Sequence, residues 1–517
     1  MAEMITLFVN GEEVEVEKGK NLIDAVAAVG IEIPHFCYHP ALGADGNCRM
    51  CLVGIEDGRP PLVPACKTPA AEGMKVLLDA EHIKKIQRDV MELEFINHPT
   101  DCPICDQAGE CKLQDYYMGY EQTESRMRVP QVNKRKVQDF GGGVVHDQER
   151  CVLCTRCVRF LRLITKTGEL GAVNRSDSAC IEYFPGRPIN NRYGLNVVDI
   201  CPVGAMTSKD FRFKQRVWFL KRAESICHGC ARGCNIMVDH NREKYEDDRI
   251  YRLRPRVNEQ VNGHFMCDEG RMTYKEENDG RTSECSIAGG VKPLSAVLTE
   301  AKRQLEEAGE KLFLISPSAS LEQMAAVQAL AEACGASLSG FSDGYINKGD
   351  GDDYLIKDDK AANRKGLELL GIATDKKSFE TALKKAALFI NFGSDLSRSY
   401  SEDKLLELVG DSRIINCATH PGPVDDKAWI NIAIKSWSEY HGVVVNCDGI
   451  AQKFVGGVMK NVERPDITEI AGGLGGPAGD REEAWPLVQQ KIAALQEYEP
   501  TELPAQGLKL SDSEAAK

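Results

Sequence analysis

Apolar and polar positions alternate at the start of the chain. Apolar side chains occupy every second position over 5–9 and again at 14 and 16, and Asn10-Gly11 stands between the two runs. A period of two is typical of a strand with one buried face, and Asn-Gly suits a two-residue hairpin turn. The pattern therefore predicts a β-hairpin over 5–16.

Two helices are predicted after this hairpin. The segment 22–29 is mostly apolar and is followed by Gly30, a common residue just past a helix end. Two strands, this helix and a cysteine-bearing loop favour a small β-grasp domain to about residue 80. Over 80–97 apolar residues recur at helical spacing, which predicts a helix that places His98 just beyond its end, before Pro99.

The pattern changes after about residue 285, where apolar strands are followed by helices. A strand over 312–315 precedes a helix over 321–334, and further strands are predicted over 387–392 and 413–417. This alternation is typical of a doubly wound α/β sheet. The connecting segments are predicted to be a loop-rich stretch over 98–145, a loop over 349–353, a glycine-rich linker over 472–479 and a frayed tail over 511–517.

Composition limits the classes of function. The 517 residues, 42% hydrophobic and 27% charged, suit a globular protein of three or four domains. The net charge of −14 argues against nucleic-acid binding and against direct docking on an anionic membrane. The chain has no run of 18 apolar residues and no signal-peptide pattern at its start. We therefore expect a cytoplasmic protein that meets a membrane only through partners.

The cysteines carry the strongest chemical signal. Sixteen of the 20 fall within the first 267 residues and four in the remaining 250. In a reducing compartment, metal ligation or catalysis is a better interpretation than disulfide bonding. Metal chemistry is therefore expected in the N-terminal half.

The first candidate metal site has the spacing C-x10-C-x2-C-x14-C and consists of Cys37, Cys48, Cys51 and Cys66. A loop of this length around a central Cys-x-x-Cys can supply the four thiolates of a two-iron centre. The spacing differs from the plant-type pattern, but the β-grasp context favours a [2Fe–2S] cluster. A zinc knuckle or unrelated core thiols are the alternatives.

The second candidate site reads H-x3-C-x2-C-x5-C and consists of His98, Cys102, Cys105 and Cys111. The histidine stands beside three cysteines that lack a fourth ligand, and a neutral imidazole can replace a thiolate on iron. A tetrahedral zinc ion would satisfy the same residues.

The third candidate site is a C-x2-C-x2-C triad of Cys151, Cys154 and Cys157, completed 44 residues later by Cys201. A proline follows Cys201, as in the Cys-Pro ending of bacterial ferredoxin motifs, and we expect one [4Fe–4S] site here. Cys180 is the competing fourth ligand.

The fourth candidate site is Cys227, Cys230 and Cys234, spaced C-x2-C-x3-C, with Cys267 after 32 further residues. Four thiolates again suit a [4Fe–4S] cluster, with zinc as the alternative.

The five remaining cysteines have no partners at ligand spacing and are expected to be structural, as small buried apolar side chains; they are Cys180, Cys285, Cys334, Cys417 and Cys447. A loose dinucleotide-type match over 473–478 contains Pro477, which lacks a backbone donor, so we interpret it as linker. No catalytic residue and no other cofactor-binding residue is predicted. The chain is expected to conduct electrons for chemistry that occurs elsewhere.

Five segments resemble the family of the large iron–sulfur subunit (the G subunit) of NADH:quinone oxidoreductase, complex I. They are PHFCYHPALGADGNCRMCLV (34–53), NHPTDCPICDQAGECKLQD (97–115), CVLCTRCVRF (151–160), CPVGAMTSKDFRFKQRVWFLKRAESICHGCARGC (201–234) and CDEGRM (267–272). The resemblance runs through about 275 residues in the family's order and includes all sixteen candidate ligands. It implies that the metal is iron, in one [2Fe–2S] and three [4Fe–4S] clusters, and that this chain binds no molybdopterin, flavin or NAD.

The remainder resembles, more weakly, the molybdopterin oxidoreductase domain shared with formate dehydrogenases, through 316–336 and 439–452. The family's metal-ligand segment should follow soon after residue 336, but 337–346 contains none. The resemblance therefore implies a relic scaffold without molybdenum.

The resemblance also implies a multidomain α+β and α/β architecture. The expected domains are a β-grasp [2Fe–2S] ferredoxin domain (1–80), a helical His/Cys [4Fe–4S] segment (81–145), a ferredoxin-like [4Fe–4S] domain (146–218), a molybdopterin-oxidoreductase N-terminal-type [4Fe–4S] domain (219–285), an α/β domain (286–470) and a linker, helix and tail (471–517).

The partners and the path are likewise implied by the resemblance. A flavin-containing NADH-oxidising subunit and a small thioredoxin-like [2Fe–2S] subunit would stand before this chain, and a ferredoxin-like two-[4Fe–4S] subunit and the quinone-module subunits after it. Electrons would pass from the first site to the third and then to the His98 site. The fourth site would not be part of this electron-transfer path. The protein would be peripheral on the cytoplasmic face of the inner membrane.

Three other interpretations stay open on sequence. One is the iron–sulfur subunit of a soluble NAD-linked hydrogenase or formate dehydrogenase, whose N-terminal modules are shared. A second is a catalytic molybdenum or tungsten formate dehydrogenase, and a third is a zinc-stabilised scaffold without redox chemistry.

Overall fold

A computed structural model describes residues 3–56, 61–120, 126–128, 130–241, 249–457 and 464–510. The predicted tail over 511–517 lies outside these residues. The chain divides into two compact units, Met1–Phe219 and Leu220–Lys517. No helix in the described ranges is long and apolar enough to cross a membrane.

The elements of the first unit are β1 Met4–Val9, β2 Glu12–Glu17, α1 Leu22–Ala28, β3 Leu52–Ile55, β4 Leu62–Pro64, β5 Lys75–Leu77, α2 Glu81–Phe95, α3 Lys112–Gly119, β6 Gln138–Gly141, β7 Val144–His146, α4 Arg156–Leu163, β8 Leu170–Val173, β9 Cys180–Tyr183, α5 Asn196–Asp199 and β10 Met206–Ser208.

The first unit begins with a five-stranded sheet in the order β2-β1-β5-β3-β4. The predicted hairpin is confirmed: β1 and β2 pair antiparallel, with φ of 50° at Asn10 and 88° at Gly11 in the turn. Helix α1 begins where Asn21 accepts a hydrogen bond from the Asp24 amide and ends before Gly30, whose φ is 85°. The buried core of this sheet includes two cysteines of the first candidate site, which fixes their backbone.

The stretch over 98–145 is less loop-rich than predicted, and that prediction is wrong for three segments. It contains helix α3, strand β6 and most of strand β7. Helix α3 has eight residues and buries only Leu113, so its apolar pattern is too short to show a helical period. This helix begins directly after Cys111 and forms one wall of the second candidate site.

His146 at the end of β7 is fully buried, and its ring lies 4.5 Å from that of Phe140. Within the described ranges neither ring nitrogen has a hydrogen-bond partner. Burial lowers the pKa of His146 to about 3. The folded protein therefore keeps this ring neutral.

We expect the first unit to lose stability as the pH falls from about 7.5 to about 5.5. An unfolded histidine titrates near about 6.5, so below that pH the unfolded chain binds a proton that folded His146 does not. Linkage puts the loss at about 1.4 kcal/mol at about pH 5.5. Urea unfolding at both pH values should show that His146→Leu removes this residue's share of the loss, about 1.4 kcal/mol, while His82→Leu, at an exposed position, keeps it. Equal pH dependence in wild type and His146→Leu would contradict the prediction.

The elements of the second unit are β11 Leu220–Ile226, β12 Asn235–Asn241, β13 Ile250–Pro255, α6 Asp268–Met272, α7 Tyr274–Asn278, β14 Ser286–Ile287, β15 Gly290–Val291, α8 Leu294–Glu307, β16 Lys311–Ile315, α9 Leu321–Cys334, β17 Ser337–Ser339, α10 Arg364–Leu369, α11 Lys376–Lys385, β18 Leu388–Phe392, α12 Glu402–Val409, β19 Arg413–Ala418, β20 Ile430–Ala433, β21 Gly442–Val445, β22 Ile450–Phe454, α13 Ile467–Gly473, α14 Arg481–Lys491 and β23 Leu508–Lys509.

The second unit is built around a seven-stranded sheet in the order β15-β14-β20-β19-β18-β16-β17. Strands β17, β16, β18, β19 and β20 pair parallel, as the alternation of strands and helices predicts. Helix α9 begins at a capping box of Ser320 and Gln323 and ends at Gly335, with φ of 67°. A separate antiparallel sheet, β11-β12-β13, positions the fourth candidate site.

The glycine-rich segment over 472–479 is not an open linker, and that prediction is wrong. Helix α13 runs to Gly473, and Leu474 and Ala478 are buried. A Cβ added at Gly472 would lie 2.3 Å from the Cα of Gly479. The glycines are therefore required for close backbone packing rather than for flexibility.

Candidate metal centres

The first candidate site lies on the loop between α1 and β3 and on the turn after β4. Its four cysteines are buried. The Sγ atoms of Cys37 and Cys48 lie 3.4 Å apart, and the Cys66 thiol shares hydrogen bonds with those of Cys37 and Cys51. The structure therefore brings all four predicted thiols of this site together.

Hydrogen bonds among these thiols shift their pKa values in opposite directions. They lower the pKa of Cys37 and of Cys51 and raise the pKa of Cys48 and of Cys66. The backbone amide of Cys37 also donates to the Sγ of Cys48 at 3.4 Å. Four adjoining thiols with amide donors fit the ligand set of a [2Fe–2S] cluster.

The second candidate site occupies the segment between α2 and α3. Its four predicted ligands line one cavity of about 260 Å³, together with Gly204. A Cβ added at Gly204 would lie 2.3 Å from the Sγ of Cys105. The absence of a side chain at residue 204 therefore keeps the cavity open beside this thiol.

Burial sets the protonation of the second site. It lowers the pKa of His98 to about 4, which keeps the imidazole neutral, the form that binds metals. It raises the pKa of Cys105, and that of Cys111 to about 12. The Thr100 amide donates to Nδ1 of His98 at 3.2 Å, which places the proton of the neutral ring on Nε2; ligation through Nε2 would move that proton to Nδ1 and break this hydrogen bond.

The third candidate site surrounds the start of α4 and the turn after α5. Burial is the largest cause of the raised pKa of Cys157, and the thiols of Cys154, Cys151 and Cys201 raise it further. The Cys201 thiol accepts backbone hydrogen bonds from three residues that follow it. Cys180 lies instead on β9, where its thiol accepts from Asn174 at 3.8 Å. The triad and Cys201 thus lie close to one another.

Left-handed backbone marks the first three ligand loops. Non-glycine residues with positive φ interrupt each of them: Arg49 at 56°, Thr100 at 48°, and Leu153 and Thr155 at 49° and 59°. Such conformations cost energy and persist where surrounding structure imposes them, often at binding sites.

The fourth candidate site lies in the second unit, between β11 and β12 and at the start of α6. All four of its cysteines line a cavity of about 70 Å³. Cys267 caps α6, accepting from the Gly270 amide at 3.2 Å, and the Gly229 amide donates to Cys227 at 3.4 Å. A Cβ at Gly270 would lie 3.0 Å from the Sγ of Cys227 and 3.2 Å from that of Cys267. This packing leaves little room for a side chain at residue 270.

The donor sets are compatible with iron–sulfur clusters. Within the described ranges, no three His, Cys, Asp or Glu side chains converge closely enough to hold one metal ion. In an iron–sulfur cluster four ligands are shared among two or four irons, so they need not converge on one point. A bound metal ion favours the thiolate, so binding would lower the pKa of those ligand thiols whose pKa burial raises.

The five other cysteines are dispersed. Cys180 and Cys417 are buried, Cys285 and Cys334 are partly buried, and Cys447 is exposed. The interpretation of Cys447 as a buried apolar side chain is therefore wrong. Reasoning from sequence also missed Gly204 and Gly270, for which the only signal was a glycine three residues after a ligand cysteine.

Four family models match the chain in succession. They are a 2Fe-2S iron-sulfur cluster binding domain over 2–80, the NADH-ubiquinone oxidoreductase-G iron-sulfur binding region over 87–126, the NADH-quinone oxidoreductase subunit 3 ferredoxin-like domain over 141–207, and the molybdopterin oxidoreductase Fe4S4 domain over 220–279. Each candidate site falls within one of these matches.

Curated relatives agree with these matches. The G subunit of NADH-quinone oxidoreductase from Rickettsia conorii is 38% identical over 316 residues, 61% of this chain and 45% of the relative. The NADH-ubiquinone oxidoreductase 75 kDa subunit of Reclinomonas americana is 42% identical over 273 residues, 52% of this chain and 38% of the relative. The chain thus matches less than half the length of these relatives.

Among solved structures, a chain of NAD+-reducing [NiFe]-hydrogenase is 26% identical, with a TM-score of 0.37 over 41% of this chain and 91% of that chain. A superposition this loose has no bearing on function. The order of the matched domains and the identity to curated relatives lead to one conclusion. Through its N-terminal half, the chain is similar to the NADH-quinone oxidoreductase G subunits and the 75 kDa subunits.

Proposed function

We propose that the chain is the iron–sulfur electron-transfer subunit of an NADH:quinone oxidoreductase. It would carry electrons from an NADH-oxidising flavoprotein toward quinone and have no substrate site of its own. The observation that carries the proposal is the continuity of the first three candidate sites. Ligands from all three contribute to a single buried core, which holds Cys37 and Cys48, Cys111, and Cys154.

The third site adjoins both of the others, which supports the order first, third, second. Asn47 on the first ligand loop donates to the carbonyl of Leu153 at 2.8 Å. On the other side, the Lys112 amide donates to the carbonyl of Pro202 at 2.9 Å, and Gly204 packs on Cys105.

The ligand residues proposed for iron are the sixteen predicted from sequence. The [2Fe–2S] cluster would be held by Cys37, Cys48, Cys51 and Cys66. The three [4Fe–4S] clusters would each be held by one further set: His98, Cys102, Cys105 and Cys111; Cys151, Cys154, Cys157 and Cys201; and Cys227, Cys230, Cys234 and Cys267. When bound, the clusters supply one-electron storage. The protein supplies thiolates, the neutral His98 ring, amide donors to sulfur, and an apolar enclosure that excludes water.

The finer architecture and the assembly belong to the same proposal. The five-stranded sheet with α1 would be the β-grasp domain, 146–218 the ferredoxin-like domain, and 286–470 an α/β domain without molybdopterin. The partners would be a flavin-binding NADH-oxidising subunit, a thioredoxin-like [2Fe–2S] subunit, a ferredoxin-like subunit and the quinone-module subunits. The chain would sit on the cytoplasmic face of the inner membrane through these partners.

Reduction by NADH tests this function. NADH alone should not bleach the visible absorbance of the purified chain, because this chain is proposed to bind no nicotinamide. NADH should bleach that absorbance once the co-purifying flavoprotein is added. A hydrogenase subunit in the isolated complex would favour instead a soluble hydrogenase. Bleaching of the isolated chain by NADH would contradict the proposal.

A further inference from the structure

Two buried arginines on α4 join the first and third candidate sites. Arg159 is 5% exposed, and its Nη1 donates to the carbonyl of Gly43 at 2.7 Å. Its Nη2 donates to the carbonyl of Cys37 and, at 3.3 Å, to that of Cys154. One guanidinium therefore fixes the backbone of a ligand from each site.

The second arginine makes an equivalent bridge. Arg156 is 8% exposed, and its Nη1 donates to the carbonyl of Ile200 at 3.0 Å, directly before Cys201. Its Nη2 donates to the carbonyl of Tyr38, directly after Cys37. The two side chains thus hold the first ligand loop against both segments that build the third site.

Among the residues that the structure describes, no carboxylate balances the charge of these arginines. Within the described ranges neither guanidinium forms an ion pair with an acidic residue, and both bind carbonyl oxygens instead. Burial lowers the pKa of Arg156, and the nearby thiols of Cys154, Cys201 and Cys37 raise it. The Nε–H of Arg156 is buried without an acceptor. Buried charge of this kind is costly unless an opposite charge lies close by.

We propose that Arg156 and Arg159 are positioning residues that raise the reduction potentials of the clusters at the first and third sites and fix the spacing between them. The inference rests on the proposed function, because the thiolate-bound clusters would supply the missing negative charge. Reduction adds negative charge, and a fixed positive charge in a poorly solvated interior favours the reduced form. Two positive charges beside both centres would therefore ease electron entry at each.

The test separates charge from hydrogen bonding by using lysine and glutamine at each position. Arg156→Gln and Arg159→Gln remove the charge, whereas Arg156→Lys and Arg159→Lys keep it but lose the forked donors. Arg162→Gln is the matched control, because Arg162 is on the same helix and is exposed to solvent. Each full-length variant is purified anaerobically, assayed for iron and sulfide, and titrated redox-potentiometrically with low-temperature EPR detection.

We expect each glutamine variant to shift the one-electron reduction equilibrium of the [2Fe–2S] centre at least tenfold toward the oxidised form, which is about 59 mV. The lysine variants should shift it less than threefold, and Arg162→Gln should not shift it. Iron-loaded glutamine variants with wild-type potentials would overturn the inference. If the glutamine variants fail to load iron, the lysine variants test the inference instead, because a tenfold shift of the reduction equilibrium in the lysine variants would also overturn the inference. Wild-type protein that is purified without iron would instead contradict the proposed function itself.

Discussion

Replacing Gly204 with alanine is expected to abolish cluster binding at the His98 site. The new Cβ would lie 2.3 Å from the Sγ of Cys105, well inside van der Waals contact, and the thiol would have to leave its place. Residue 204 also follows Cys201 closely, so the backbone there is held by the third site and cannot retreat. Overpacking of this kind costs about 1–3 kcal/mol in a folded core. The larger effect is on the metal, with a loss of about four irons per chain.

Gly119→Ala is the matched control for this variant. Gly119 ends α3, which borders the same site, and a Cβ there meets nothing within 4 Å. This variant should keep the wild-type iron content and EPR spectrum. Gly204→Ala protein with a full complement of iron and unchanged EPR signals would show that Cys105 is not a ligand in this geometry.

Cys201→Ser should remove the third cluster, whereas Cys180→Ser should not. The Cys201 thiol lies with the triad, and its charge acts on Cys157. Cys180 is on β9, where its thiol accepts a hydrogen bond from Asn174. Because the third site joins the other two in the proposed order, its loss should also stop electrons from the flavoprotein from reaching the His98 site.

Iron content and freeze-quenched EPR after NADH addition in the assembled complex measure both effects. The two variants make the same chemical change within one unit, so each is the control for the other. A normal third-cluster signal in Cys201→Ser, with its loss in Cys180→Ser, would reverse the ligand assignment. Loss in both variants would indicate a general folding defect, which the melting temperature would reveal.

Local periodicity explains what the sequence could foretell of this fold. The alternation around Asn10-Gly11 predicts the hairpin, and the apolar strand followed by an apolar segment predicts α9. Helix α3 is not predicted from the sequence, because its one buried residue gives no helical period of apolar positions. The turn over 472–479 looked like linker because glycine composition does not distinguish a flexible segment from two backbones in contact.

Ligand spacing likewise predicts which cysteines form each candidate site, but it does not predict which sites lie next to one another. Contacts between the first and third sites include those of Arg156 and Arg159, which lie more than a hundred residues from the carbonyls of Tyr38 and Cys37 that they bind. No local pattern encodes such distances in sequence. The role of Gly204 was hidden for the same reason, since its neighbour Cys105 comes from a different segment.

The most direct test is the metal content of the anaerobically purified chain. Iron, acid-labile sulfide, zinc and molybdenum should be measured per chain, together with low-temperature EPR of the reduced protein. The proposed function predicts about 14 irons with matching sulfide, one [2Fe–2S] signal and no molybdenum. Zinc in place of iron would contradict electron transfer by this chain, and stoichiometric molybdenum would make the second unit a catalytic domain.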